Sequence, residues 1–562
     1  LHLKDDAKEF LDQSNLKNLI IKYSEFTHFP IYLYETRTET EEVPVEEEEQ
    51  ATEEKKEETT TEENKEETTE EKKEESTEEK PKTKKVEKTI NEWNVVNQNK
   101  PIWTRSPSDI TEEEYNQFYR SLAFNSMDFN DPIAKIHFTA EGNVEFKSLL
   151  FVPGKAPQNM FDPNDQKSKI KLYVKRVFIT DAVADMLPRY LNFIRGIVDS
   201  DDLPLNVSRE QLQQSKLLNL IKKKLIGKAI QMLEDLAADS KKKVEEYKAK
   251  KAEIEAENAG KELTEDEKKE IQKKDEEAAK NADKYKTFWD EFGKNVRLGV
   301  IEDQKHKNRL IPLLRYHSSK SESELTSLDD YVARMPEHQK YIYYIAGESI
   351  EEVKSSPFLE ALKKRDFEVL YLVDAIDEYM IQQVQEYSGK KLESITREGL
   401  KFGDEDDEDQ KKQQEVIEKE FEPLTKFLSD TLGSKKIQKA VVSRRVTDSP
   451  CVLVAPSFGI SANMARIMKA QALGAGAEKN PYAIMGQMKI LEINPDHPVI
   501  VELNKRVSSD AGDRTAKAIS QLLYDTALLR SGYDIDQKAE FADRIFSMMS
   551  TGLHLDEKES TT

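Results

Sequence analysis

Cysteine is almost missing from this chain: Cys451 stands alone among 562 residues. No internal disulfide can staple the fold, and thiol content says nothing about the redox compartment. The nineteen glycines form no glycine-rich phosphate loop, which argues against a loop-type nucleotide site within the chain. The eight histidines show no metal-ligand spacing, so no metal site is expected. No apolar run approaches the length of a bilayer crossing, so membrane insertion is not expected. Net positive charge is also lacking. The formal charge is −23, which disfavours nucleic acid as the main partner, because phosphate recognition needs clustered lysine and arginine.

Charge itself is abundant, at 35% of residues. A surface so charged suits a protein that must stay soluble while holding adhesive partners. The length leaves room for three or four domains and a substantial core. The chain opens at Leu1 and closes on Glu559-Ser-Thr-Thr562, and both ends read as cuts within a longer protein.

Residues 1–38 carry a helical pattern followed by a strand-like Ile31-Tyr-Leu-Tyr34, too little to bury a core alone. Residues 41–80 hold twenty Glu, six Lys and only three apolar residues. They cannot offset ordering entropy by burial, so 39–88 is expected to be a disordered acidic linker. From 89 to about 236, strand words such as Ile170-Lys-Leu-Tyr-Val174 and Arg176-Val-Phe-Ile179 alternate with a helical stretch, Leu212–Leu236. Residues 238–285 are almost wholly charged or alanine, with Glu/Lys spacing suited to an exposed helix, and read as a protruding helical hairpin or a flexible arm. Beyond them, Tyr341-Ile-Tyr-Tyr-Ile-Ala346 and Phe367–Val373 flank a helix around Phe358, which predicts a small α/β unit with parallel pairing at about 325–400. Asp404–Gln414 marks another boundary.

Few residues stand out chemically. Arg209 lies just inside a predicted helix start behind Pro204, with Ser208 as N-cap and Glu210 in the first turn. Asn206, Arg209 and Gln213 can project from one end of that helix. An arginine so placed is either a surface ion-pair partner or an arginine finger for a phosphate held elsewhere. Cys451, in Ser449-Pro-Cys-Val-Leu-Val454, reads as a small core residue on a buried strand. Met464 and Met468 share one face of a helix over 462–473, as core or as an adaptable binding surface. Ile519, Leu522, Leu523 and Leu529 form a stripe at helical spacing, as do Phe541, Ile545, Met548 and Met549.

The words Val198–Gln214, Asn99-Lys-Pro-Ile-Trp-Thr-Arg105, His137-Phe-Thr-Ala-Glu-Gly142, Ile170–Thr180, Ala462–Ala472, Glu492-Ile-Asn-Pro-Asp-His-Pro498 and Asp525–Gly532 together resemble the 90-kDa heat-shock chaperones. Lys82–Thr89, Phe288-Trp-Asp-Glu-Phe-Gly293 and Gly299-Val-Ile-Glu-Asp303 resemble the endoplasmic-reticulum branch of that family. The resemblance implies an α/β and α+β multidomain protein. Residues 1–38 would be the tail of an amino-terminal ATP-binding domain whose main body is missing, and 89–403 an α/β middle domain in two parts. Residues 404–555 would form an α+β carboxy-terminal dimerisation domain with a disordered tail at 556–562.

The resemblance further implies an ATP-dependent molecular chaperone of the endoplasmic-reticulum lumen, with the cytoplasm as the alternative compartment. ATP and Mg²⁺ would be bound by the complete protein and not by this chain alone, so the chain by itself is expected to be inactive as an ATPase. Arg209 would reach the ATP γ-phosphate, steadied by Asn206 and Gln213. Trp103, as an exposed side chain, with Phe178, Met464 and Met468 would contact partly folded clients. Ile519, Leu522, Leu523, Leu529, Ile545 and Met549 would form the homodimer interface, and co-chaperones are further partners. The alternative reading is a non-catalytic dimeric scaffold or an ATP-independent holdase.

Overall fold

The computed structural model describes residues 4, 10–26, 29–44, 83–97, 101–122, 130–157, 160, 169–181, 186–203, 216–258, 273, 278–279, 282–403, 408–472, 488–535 and 537–553. Helix α1 (Gln13–Ser24) begins on an Asp12 cap that accepts from the Ser14 amide. Strand β1 (Tyr32–Pro44) then pairs antiparallel with β2 (Thr83–Val95) over thirteen residues of each strand. The expected disordered linker is thereby shortened at both ends: 39–44 and 83–88 are strand, while 45–82 lies outside the described residues. The ladder runs from Tyr32 opposite Val95 to Pro44 opposite Thr83.

Past α2 (Glu112–Leu122) comes a five-stranded sheet built from β3 (Ala134–Ala140), β4 (Phe146–Val152), β5 (Lys169–Val174), β6 (Val177–Thr180) and β7 (Arg195–Ser200). Its order is β3-β4-β7-β5-β6, with only β5 and β7 parallel. Between β5 and β6, Lys175 and Arg176 both take positive φ, 52° and 66°. Two left-handed residues in a two-residue loop give the turn whose twist matches a hairpin.

Helix α3 (Lys216–Asn258) runs 43 residues, roughly 65 Å at 1.5 Å per residue. Its first half buries Ile221, Leu225, Ile230 and Leu233 in the main core beside the sheet. Its second half enters the charged insertion and is not free-standing. Lys241 pairs with Asp330 at 2.7 Å and Lys248 with Glu324 at 2.7 Å. Ser240 Oγ donates to Asp283 Oδ1 at 2.9 Å, and Asp283 also accepts from the Lys286 amide at the start of α4 (Lys284–Glu302). Residues 259–272, 274–277 and 280–281, on which the expected hairpin or arm falls, lie outside the described residues. The Phe288 word sits on α4, with Phe288 and Phe292 fully buried against Phe193.

The small unit follows. Strands β8 (His317–Ser318), β9 (Tyr341–Ala346), β10 (Val369–Leu372), β11 (Glu386–Tyr387) and β12 (Lys390–Ser394) take the order β11-β12-β9-β10-β8, and β9 pairs in parallel with both β10 and β12. The short helices Ile350–Lys354 and Glu360–Lys364 connect β9 to β10. Parallel neighbours require such a crossover, as the strand–helix–strand spacing predicts.

The last unit contains α5 (Glu408–Leu432), the three-stranded sheet β13 (Lys439–Val442), β14 (Cys451–Val454) and β15 (Ile490–Ile493), and helices α6 (Ala462–Ala472), α7 (Pro498–Ser509), α8 (Arg514–Arg530) and α9 (Lys538–Gly552). The 403/404 boundary does not separate cores. Tyr343, Phe358 and Val369 share one cluster with Val446, Val452, Val454 and Ile490. Glu360 strengthens the junction by accepting the amides of Thr447, Asp448 and Ser449 and the Ser449 hydroxyl. Burial pushes its carboxyl up, but these hydrogen bonds outweigh that and hold it below the usual carboxylate range.

Cys451 is buried on β14, and burial pushes its thiol up to about 12. The thiolate is therefore scarce at neutral pH. In native protein at pH 8, iodoacetamide is expected to leave Cys451 unmodified, and mass spectrometry should find full alkylation only after unfolding in urea.

Candidate functional site

Asn206, Arg209 and Gln213 lie within 204–215, outside the described residues, so their side chains are not placed. The frame around that segment is placed. It leaves from the carboxyl end of β7, a central strand, and returns at Lys216 into α3. The departing end is pinned: Ser200 Oγ donates to the Glu145 carbonyl at 2.8 Å, and Asp202 accepts the Glu145 amide at 2.9 Å. Leu203 and, on the returning side, Leu218 are both buried in the main core. The carboxyl end of a central strand is where an open sheet presents functional residues.

Beside that strand end lies a cluster of aromatic rings. Trp103 is fully buried, where an exposed client contact was expected. Its indole Nε1 donates to Asp199 Oδ2 at 2.9 Å, the hydrogen bond that a buried indole requires. Asp199 Oδ1 accepts the Arg176 amide at 3.1 Å, tying the β5–β6 turn to the same carboxylate. Phe118, Tyr173 and Phe178 complete the cluster, and Phe26, arriving from the amino-terminal segment, covers it. Phe178 is likewise buried. Local sequence around Trp103 and Phe178 contains no sign of this cover, because it comes from a distant stretch of chain.

Met464 is buried and Met468 half-buried on α6. Arg466, between them in sequence, bridges to Glu348, and its Nη2 lies 3.2 Å from Glu352 Oε1 across the junction with the small sheet. A cavity of about 150 Å³ opens beside it, lined in part by Gly347, Asn463, Leu529 and Gly532. Of the two methionines only Met468 retains partial access.

The carboxy-terminal helices give the opposite result. No residue of α9 is buried. Phe546 is 64% exposed, Met549 56% and Leu553 70%, and Leu529 at the end of α8 is 52% exposed. Ile519, Leu522, Leu523 and Ile545 are half-buried, with Ile519 and Leu523 packed on the carboxy-terminal core. The two helices are fixed to each other by Arg544 Nε, which donates to Asp525 Oδ2 at 2.7 Å. The stripe analysis captured Ile545, Met548 and Met549 but not Phe546 and Leu553, which become evident once α9 is seen to bury nothing within its own protomer.

Among the described residues no cluster of His, Cys, Asp or Glu could hold a metal ion, and no helix is long and apolar enough to cross a membrane.

A family model described as Hsp90 protein matches residues 9–562. Among curated proteins, an "Endoplasmin homolog" of Arabidopsis thaliana is 47% identical over 559 residues, covering 99% of this chain and 64% of its own length. The "Endoplasmin homolog" proteins of Catharanthus roseus and Hordeum vulgare give the same identity and coverage. The chain thus spans just under two thirds of the length of these relatives.

Proposed function

Because the chain belongs to the Hsp90 protein family, we propose that it forms the client-binding and dimerising body of a molecular chaperone. The observation that carries this reading is the family match from residue 9 to 562, which takes in nearly every element described above. The endoplasmin homologues support a place in the endoplasmic-reticulum lumen. Two copies associate through α8 and α9, where Leu529, Phe546, Met548, Met549 and Leu553 stay exposed within one protomer.

Partly folded polypeptides are the partners, and the negative charge of the chain keeps the loaded complex dispersed. In the complete protein ATP, with its Mg²⁺, is the nucleotide. Arg209 places a guanidinium against the γ-phosphate, where a fixed positive charge stabilises the charge that develops in transfer. Asn206 and Gln213 steady the docked segment. Binding and release of nucleotide then bias the protein between states that fit clients differently.

The reading is tested by heating citrate synthase with this chain and following light scattering. Suppressed aggregation at near-stoichiometric dimer, with no effect of an excess of a thermostable protein that stays native at that temperature, is the expected result. Scattering unchanged by the chain would overturn it.

A further inference from the structure

We propose that the cleft between α4 and the segment following β4 binds a free α-amino acid with an apolar side chain. The site makes no use of the chaperone reading.

The cleft encloses about 420 Å³, within the span of small-molecule sites. Ala156, Pro157 and Met160, all half-buried, form one wall. Helix α4 forms the other, with Trp289 and Arg297 deep and Asp290 and Lys294 at the rim. Glu291 Oε2 accepts the Ala156 amide at 2.8 Å and so ties the two walls together.

Trp289 carries the inference. Its side chain is 6% exposed, yet its indole N–H has no hydrogen-bond partner among the described residues. A buried indole ordinarily finds one, as Trp103 does on Asp199. The Trp289 ring is also held in place. The Arg297 guanidinium lies 4.7 Å from its centroid, and a Cβ at Gly293 would come within 3.0 Å of it. Glycine at 293 therefore lets ring and guanidinium stack closely beside the cleft.

The charged lining sorts into committed and uncommitted groups. Arg297 donates from Nε to Asp377 Oδ1 at 2.7 Å and pairs through Nη1 with Asp374 Oδ2 at 3.0 Å. Asp290 and Lys294, one helical turn apart, make no hydrogen bond or close ion pair among the described residues. Burial pushes the Asp290 carboxyl up, an effect that Lys286 and His317 oppose and that Asp283 and Glu291 reinforce.

An occupant therefore meets one anion, one cation and one neutral donor. Among the described residues no cluster is placed to hold a metal ion. A lone anion would face Asp290, and a lone cation would face Lys294. An α-amino acid answers all three groups. Its ammonium pairs with Asp290, and its carboxylate has lone pairs enough for both Lys294 and the indole N–H. Its apolar side chain then lies against Pro157 and Met160.

The test follows the indole N–H directly, with L-leucine as the probe. The chain has three tryptophans, so its ¹H–¹⁵N spectrum carries three indole cross-peaks. Trp289→Phe identifies its own by loss. L-leucine should move the Trp289 cross-peak downfield and leave those of Trp93 and Trp103 in place. Leucinamide and N-acetyl-leucine, each lacking one of the two charges, should move none of them. In calorimetry, Trp289→Phe, Lys294→Gln and Asp290→Asn should each weaken L-leucine about tenfold, as loss of one hydrogen bond to a charged group does. The two rim residues are exposed, so their replacement keeps the fold.

An unmoved Trp289 cross-peak in excess L-leucine overturns the site. So does an equal shift with leucinamide, or equal affinity of Lys294→Gln and the parent. Each of these outcomes leaves the chaperone reading standing.

Discussion

Replacing Arg445 by alanine is expected to destabilise the carboxy-terminal half by about 3–5 kcal/mol, the cost of breaking a buried ion pair from one side. Arg445 and Glu492 form a two-pronged contact, Nε to Oε2 at 2.7 Å and Nη2 to Oε1 at 2.9 Å, with side chains only 3% and 8% exposed. The guanidinium also donates from Nη1 to the Ile395 carbonyl at 2.5 Å and from Nη2 to the Arg397 carbonyl at 2.7 Å. One side chain therefore ties β15 to the strand end that follows β12. Alanine would strand the Glu492 carboxylate in the core, where Ser443 Oγ, at 2.8 Å, is the hydrogen-bond donor that remains to it. It would also take a charged donor from two buried carbonyls.

Circular dichroism during urea unfolding should show a lowered midpoint. The double replacement Arg445→Met with Glu492→Leu should recover most of the loss, because two apolar side chains need no compensating charge. A single Arg445→Ala chain as stable as the parent would mean that the pair contributes nothing to the junction.

Introducing a carboxylate at Met549 is expected to abolish dimers while leaving the protomer intact. Met549 is more than half exposed in one chain, so Met549→Glu costs the monomer little. In a dimer formed through α8 and α9 the same carboxylate would be desolvated among Phe546, Leu529 and their counterparts. A penalty of about 4 kcal/mol weakens association roughly a thousandfold. Sedimentation equilibrium should show a dimer for the parent and a monomer for Met549→Glu, with superimposable circular dichroism spectra. A variant that stays dimeric with unchanged affinity would place the interface elsewhere.

Much of the local structure was legible before any coordinates. Short runs rich in β-branched, aromatic and other apolar residues marked β5, β6, β9, β10 and β14, because such residues favour the strand locally. Parallel pairing of β9 and β10 followed from the helix between them, since a short hairpin cannot connect parallel strands. Cys451 read correctly as core, since its neighbours are apolar on both sides. The two stripes over 519–529 and 541–549 gave the faces of α8 and α9.

The candidate site was legible in part. The segment holding Arg209 was singled out by its own pattern, whereas the stripe of α9 alone did not separate core from interface, a choice that the resemblance made, and did not show which side chains the protomer leaves open. Exposure of Trp103 was wrong because burial depends on what arrives from elsewhere, and Phe26 lies far upstream. The acidic linker was too long for a related reason. Composition weighs each residue alone, whereas the backbone ladder of β1 and β2 joins the two ends of the segment.

The sequence by itself determined the alternation of elements, the acidic surface, the lack of disulfide support and the family, because these depend on residues near one another or on their sum. Only the tertiary structure decided that Trp103 is covered, that the 403/404 boundary crosses a shared core, and that Arg445 meets Glu492. Periodicity states which face of an element is apolar. It does not state which distant element covers that face, and that choice is made by packing, where shape and hydrogen-bond satisfaction are resolved together.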